Sequence, residues 1–148
     1  MRLAQHLKDI SSIFLDTAPI IYYIEAHAEY GPLVSEVVKA FQSGRMKAYS
    51  SVITLVEVLP KPIAMGNESL AKDFSNFLIA GKDIITLEIT SEIARKAGTL
   101  RGRYPFLKTM DAIQIAASME VGANAFFTND IQLKRVTEIS AVILKDFL

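Results

Sequence analysis

Ser12-Ile13-Phe14-Leu15-Asp16-Thr17-Ala18-Pro19-Ile20-Ile21-Tyr22-Tyr23-Ile24 is the stretch on which the fold turns. Ser12 to Leu15 has the length and apolar content of a short buried strand. Pro19 then suits the first turn of a helix carrying Ile20, Ile21 and Ile24. Strand and helix are joined through a single aspartate. The same alternation continues toward the C-terminus. Gly31-Pro32 opens a helix with Val34, Val37, Val38 and Phe41 on one face, closed by Gly44. Lys47 to Ser51 reads as a strand. Val52 to Leu59 is a strongly apolar segment that Pro60 and Pro62 are expected to end. Asn67 is a good N-cap for a helix carrying Leu70, Ala71, Phe74, Phe77 and Leu78 and stopped by Gly81. Ile84 to Leu87 is a strand, and Thr90 or Ser91 caps a helix running to about Arg103. Tyr104-Pro105 breaks the chain, and Thr109 begins a helix that ends near Gly122. Ala125 to Thr128, a short helix over Asp130 to Val136, and a last strand over Ala141 to Leu144 complete the pattern.

Strands alternating with helices predict a parallel β-sheet sandwiched by α-helices, a three-layer α/β/α arrangement. At 148 residues the chain suits a single domain, 1–148. Residues 1–11 form a lead-in, where Leu3, Leu7 and Ile10 suggest a short amphipathic helix. Hydrophobic residues make up 51% of the chain, which excludes a disordered polymer. There is no cysteine, so disulfides, thiolate metal sites and thiol nucleophiles are excluded, as fits an intracellular protein. No apolar run reaches the roughly 18 residues of a membrane span. Met1 to Asp9 is too mixed in charge for a signal peptide, so the expected location is the cytoplasm. The formal net charge is zero. A protein that coats nucleic acid by bulk charge is therefore not expected, and any nucleic-acid contact must use local basic patches.

In a parallel sheet of this kind, ligands bind beyond the C-terminal ends of the strands. Two strands run directly into aspartates there: Ile13-Phe14-Leu15 into Asp16, and Phe126-Phe127-Thr128-Asn129 into Asp130. Taken singly, each is as well explained as a helix cap. Asp111, in the first turn of the Thr109 helix, is favoured there by the helix dipole alone. Glu57 lies within Val52-Ile53-Thr54-Leu55-Val56-Glu57-Val58-Leu59, which leaves little room for a polar face. A buried charge there needs a cleft, an ion pair or a metal, and a structural salt bridge stays open. Taken together, Asp16, Glu57, Asp111 and Asp130 form a set of hard oxygen donors suited to Mg²⁺ or Mn²⁺. Carboxylates gathered in one pocket repel one another unless a cation neutralises them. Phosphodiester hydrolysis is the chemistry such a site most naturally supports.

Phe14-Leu15-Asp16-Thr17, Leu55-Val56-Glu57-Val58, Met110-Asp111-Ala112-Ile113-Gln114-Ile115-Ala116-Ala117 and Phe127-Thr128-Asn129-Asp130 resemble, in order and spacing, the four signature segments of PIN domains. The resemblance covers Ser12 to Leu148, and the layout looks most like the VapC toxins of toxin–antitoxin pairs. It implies a parallel sheet between helices and Mg²⁺- or Mn²⁺-dependent endonucleolytic cleavage of RNA, with Asp16, Glu57, Asp111 and Asp130 as the acidic site. Thr128 matches the family's hydroxyl position before the last acid, and Asn129 the residue between. Asp16 and Asp111 are expected as direct metal ligands, with Glu57 and Asp130 supporting through water and Thr128 and Asn129 orienting Asp130 or a water. A homodimer through the Pro19 to Val38 helices and a small antitoxin partner are implied as well. The chain departs from the commonest family pattern in its lead-in and in Thr109-Met110, where a leucine-proline pair is frequent.

Arg101, Arg103 and Lys108 are the candidate phosphate contacts, with Lys134 and Arg135 equally readable as a solvated face. His6 and His27 lack metal-ligand spacing. Ser50 and Ser51 lack the context of an activated nucleophile. Alternative readings are a housekeeping RNA-processing PIN nuclease and a non-catalytic binding module. A phosphatase using Asp16 as nucleophile usually needs an aspartate two residues on, where this chain has Ala18.

Overall fold

A computed structural model describes residues 2–148; Met1, the start of the expected lead-in, lies outside the described residues. The chain runs α1 (Leu3–Leu7), β1 (Ser12–Leu15), α2 (Thr17–Ile24), α3 (Tyr30–Gln42), β2 (Lys47–Ser51), α4 (Ile53–Val58), α5 (Pro60–Ala64) and α6 (Glu68–Ser75). A π-helical turn, Asn76–Ala80, extends α6. Then follow β3 (Ile84–Leu87), α7 (Ser91–Arg103), α8 (Thr109–Val121), β4 (Ala125–Thr128), a 3-10 turn (Ile131–Arg135), β5 (Ala141–Ile143) and a final 3-10 turn (Leu144–Phe147). No helix among the described residues is long and apolar enough to cross a membrane.

The five strands form one parallel sheet in the order β3-β2-β1-β4-β5. Successive strand residues point to opposite faces, and the apolar ones divide accordingly. Ile13 and Leu15 of β1, Ala48 of β2, and Ala125 and Phe127 of β4 join the core beneath α1, α2, α3 and α6. Phe14 and Phe126 point the other way, into the core built with Ile93, Leu100 and Ile115 of α7 and α8. These two phenylalanines are register partners, stacked with ring centroids 5.5 Å apart. Both faces are thus covered, which is why the strands read as nearly continuous apolar runs.

The local signals act where expected at most element ends. Asn67 caps α6 by accepting from the Leu70 N–H at 3.1 Å, and Thr90 caps α7 by accepting from the Ile93 N–H at 3.2 Å. Gly122 closes α8 with φ of +63°. The apolar segment stops as expected before Pro60, with α4 ending at Val58, and Pro60 then opens α5, because a proline lacks the N–H that a first helical turn leaves unpaired anyway. One boundary differs from expectation: the last strand stops at Ile143, and Leu144 begins the closing 3-10 turn.

From β1 the chain moves outward through β2 to β3, then returns to place β4 on the other side of β1. The crevice between the C-terminal ends of β1 and β4 is therefore the switch point of the sheet, where adjoining loops lead away in opposite directions.

Candidate metal-dependent active site

Asp16 stands at this crevice, immediately after β1. Its N–H still donates to the Phe127 carbonyl of β4 at 2.9 Å, so the backbone carrying it is an extension of the sheet. Its carboxylate accepts from the Thr17 N–H at 2.9 Å through Oδ1 and from the Thr128 hydroxyl at 2.8 Å through Oδ2. The side chain is held from both sides and buried. Burial pushes the Asp16 carboxyl up to about 6, and the charges of Asp111 and Glu57 add to this against the two hydrogen bonds. Asp111 lies in the first turn of α8. Burial raises its carboxyl above the ordinary range, the charges of Asp130 and Glu57 raise it further, and Lys108 pulls it back.

Like-charge repulsion thus links the four acidic residues in a chain centred on Asp111: Asp16 feels Asp111 and Glu57, and Asp111 feels Asp130 and Glu57. Glu57 sits on α4, which β2 leads into after Val52. The expectation that Glu57 is buried does not hold. The residue is exposed, and its neighbour Val56 is 57% exposed, because α4 rides on the surface with only Thr54 and Val58 fully buried and Leu55 packed partly against the core. A hydrogen bond draws Glu57 to the site instead: the Thr17 hydroxyl donates to its Oε1 at 2.6 Å. Asp130 is exposed and caps the 3-10 turn after β4, accepting from the Gln132 N–H at 3.0 Å.

Thr128 serves both ends of the crevice. It donates to Asp16 and accepts from the Asp130 N–H at 3.2 Å. Asn129 turns away from Asp130. Its Oδ1 accepts from the Lys145 N–H at 3.0 Å, and its Nδ2 reaches the Tyr22 hydroxyl at 3.4 Å. Asn129 thus ties the C-terminal turn and α2 to the end of β4. Among the basic candidates, Lys108 lies close enough to bear on Asp111. The Arg101 Nε donates to the Leu107 carbonyl at 3.3 Å. Arg103 pairs with Glu138, which also accepts from the Tyr104 hydroxyl at 2.5 Å. Lys134 pairs with Asp146 at 2.9 Å, and Arg135 lies over the Phe106 ring at 4.1 Å.

Beneath the carboxylates lies a set of wholly buried polar side chains to which sequence reasoning assigned no role: Ser50 and Ser51 at the end of β2, Thr54 of α4 and Gln114 of α8. Ser51 donates to Gln114 Oε1 at 2.5 Å, and Gln114 Nε2 donates to Thr54 at 2.8 Å. The only sequence signal was polar residues within apolar runs, which does not say what they meet.

The donor set fits Mg²⁺ or Mn²⁺, being all hard oxygen. Among the described residues no three acidic or histidine side chains close on a single point tightly enough to enclose an ion themselves. Mg²⁺ does not require that, since it is commonly held by one or two carboxylates with waters and substrate phosphate completing the shell. Asp16 and Asp111, both desolvated and pressed by like charge, are the groups that a cation would relieve most.

A sequence profile of the PIN domain matches residues 13–139, spanning β1 to the segment just before β5. The chain belongs to the PIN domain family. No curated protein matches it in sequence. Solved structures share the PIN fold at low identity. A chain of DNA-bound VapBC from Salmonella typhimurium superposes with a TM-score of 0.72 at 16% identity, covering 91% of this chain and 99% of that one. A chain of VapBC2 from Rickettsia felis, bound to a promoter DNA fragment, gives 0.70 at 17% identity, covering 89% and 98%. VapC20 from Mycobacterium tuberculosis, described as a Sarcin-Ricin loop cleaving toxin, gives 0.69 at 14% identity, covering 84% and 95%. The PIN domain described here therefore has the VapC-like three-layer fold over nearly the full length of these relatives.

Proposed function

We propose that this PIN domain is a Mg²⁺- or Mn²⁺-dependent endoribonuclease, the toxin of a VapBC-type pair. The observation that supports the reading is Asp16, buried after β1 with its carboxyl raised by burial and by the charges of Asp111 and Glu57, while Asp111 is raised in turn by burial, Asp130 and Glu57. An idle cluster of this kind would cost stability, so a non-catalytic module is the poorer reading. Asp16 and Asp111 would hold the ion directly, and Glu57 and Asp130 would complete its surroundings through water. Bound there, the ion would supply Lewis-acid stabilisation of the scissile phosphate and an activated water.

The chain's own residues do the rest. Thr128 and the Thr17 N–H fix both oxygens of Asp16. Thr17 holds Glu57 over the same crevice. The first turn of α8 presents amide dipoles that favour a phosphate beside Asp111. Lys108 is the cation best placed to meet the RNA backbone. A homodimer is supported by the α2–α3 surface, which bears a groove of about 320 Å³ lined by residues including Tyr23, His27, Gly31 and Ser35. An antitoxin partner is suggested by relatives such as the toxin-antitoxin complex from Klebsiella pneumoniae.

The test is incubation of the purified chain with a panel of structured RNAs. Discrete cleavage in Mg²⁺ or Mn²⁺ that chelator abolishes is expected. Cleavage unaffected by chelator, or no cleavage of any RNA in the presence of metal, would overturn the reading.

A further inference from the structure

The geometry points to Gln114 as the positioning residue that holds Glu57 at the site, acting through the single proton of Thr17; this rests on the metal-dependent reading above. Gln114 is fully buried between Ile113 and Ile115 on α8. A primary amide in such a place must have both ends satisfied. Its orientation is fixed by Ser51, whose Oγ accepts from the Ile53 N–H at 3.2 Å and spends its proton on Gln114 Oε1 at 2.5 Å. The Nε2 end, which can only donate, therefore faces Thr54 at 2.8 Å and Thr17 at 3.4 Å.

The hydroxyl protons then follow. Ser50 donates to the Leu15 carbonyl at 3.2 Å, which leaves its oxygen to accept from Thr54 at 3.1 Å. The Thr54 oxygen receives the Gln114 amide. Thr17 lies 3.3 Å from Thr54 and 2.6 Å from Glu57, and has one proton to give. With Thr54 already satisfied by Gln114, that proton goes to Glu57, where the bond is charge-assisted. Without the amide, the Thr54 oxygen is a buried acceptor lacking a donor; the Ser50 hydroxyl 3.1 Å away is committed to the Leu15 carbonyl, which leaves Thr17 at 3.3 Å to turn to it. Glu57, exposed on α4, is then released to solvent.

Mn²⁺ binding measured by electron paramagnetic resonance, without RNA, tests this. Gln114→Met removes the amide at similar volume and should weaken binding up to about 10-fold, the low end of the loss seen when support around a metal site is removed, because Glu57 acts through water. Gln114→Met combined with Thr54→Val should recover affinity, because the competing acceptor is gone and Thr17 returns to Glu57. A purely structural role for Gln114 would not produce that recovery. Ser51→Ala, which frees the amide to turn its oxygen toward Thr17, should weaken binding in the same direction and carries the test if Gln114→Met does not fold. Unchanged affinity in whichever of these single variants folds, or no recovery in the double variant, would overturn the inference while leaving the metal site standing. A wild-type chain that binds no Mn²⁺ would overturn both.

Discussion

Asp16 is where the sequence, the sheet and the proposed chemistry meet. Its position was legible from the chain alone, because a strand running directly into an aspartate at the end of a parallel sheet is a local pattern. Its electrostatic state was not, since that depends on burial and on Asp111 and Glu57 arriving from distant segments. The state has a thermodynamic consequence in metal-free protein. Below its ordinary value of 3.8, Asp16 is protonated whether the chain is folded or not. Between 3.8 and about 6 the folded chain keeps a proton that the unfolded chain has lost. The stability this residue contributes is therefore fully present at low pH and is lost as pH rises through about 6. The loss approaches about 3 kcal/mol, at about 1.4 kcal/mol per tenfold change in proton affinity. Asp16→Asn cannot titrate. Its melting temperature relative to wild type, in chelator, should rise between pH 4 and about pH 6 and level off above that, and a difference that stayed flat with pH would contradict this account. Gln114 marks the opposite limit of legibility. Its partners Ser51 and Thr54 stand 63 and 60 residues away, and no spacing rule connects them.

The elements themselves were largely readable, since their caps and breakers are local. Gly122 is a case in point. It adopts φ of +63° at the end of α8, and a Cβ there would meet nothing within 4 Å. Gly122→Ala should therefore cost only the backbone penalty of about 1 kcal/mol, seen as a fall of about 2–4 °C in melting temperature. Helix α4 was the element misjudged. Its composition suggested burial on all sides, whereas it lies on the surface with Val56 and Glu57 outward. Composition reports how apolar a segment is, and only packing decides which side it hides. The basic residues before α8 show the same division. Arg103 and Lys108 look alike in the sequence, but Arg103 is paired with Glu138 while Lys108 bears on Asp111. Lys108→Gln should weaken RNA binding and flatten its salt dependence by nearly one phosphate contact. Arg103→Gln should change both less, as filter binding at several salt concentrations would reveal.

At the scale of the whole molecule, the strand order β3-β2-β1-β4-β5 sets the ends of β1 and β4, and with them Asp16 and Asp130, side by side. The alternation of strands and helices made the parallel sheet predictable. The topology that sets β4 beside β1, and so Thr128 against Asp16, is a tertiary fact that no local pattern in the chain carries. The α2–α3 groove leads to a prediction about assembly. Light scattering at micromolar concentration should give twice the mass of one chain, and Ser35→Glu, placing a charge in the groove, should shift the population toward monomer. Wild type that is already monomeric would remove that interface. The four-carboxylate site is best tested by comparing RNA cleavage by wild type and Asp16→Asn, each shown to be folded, over the same RNAs in Mn²⁺. Wild type should cut and Asp16→Asn should not, with excess Mn²⁺ failing to restore full activity. Equal cleavage by the two proteins would contradict the carboxylate–metal mechanism.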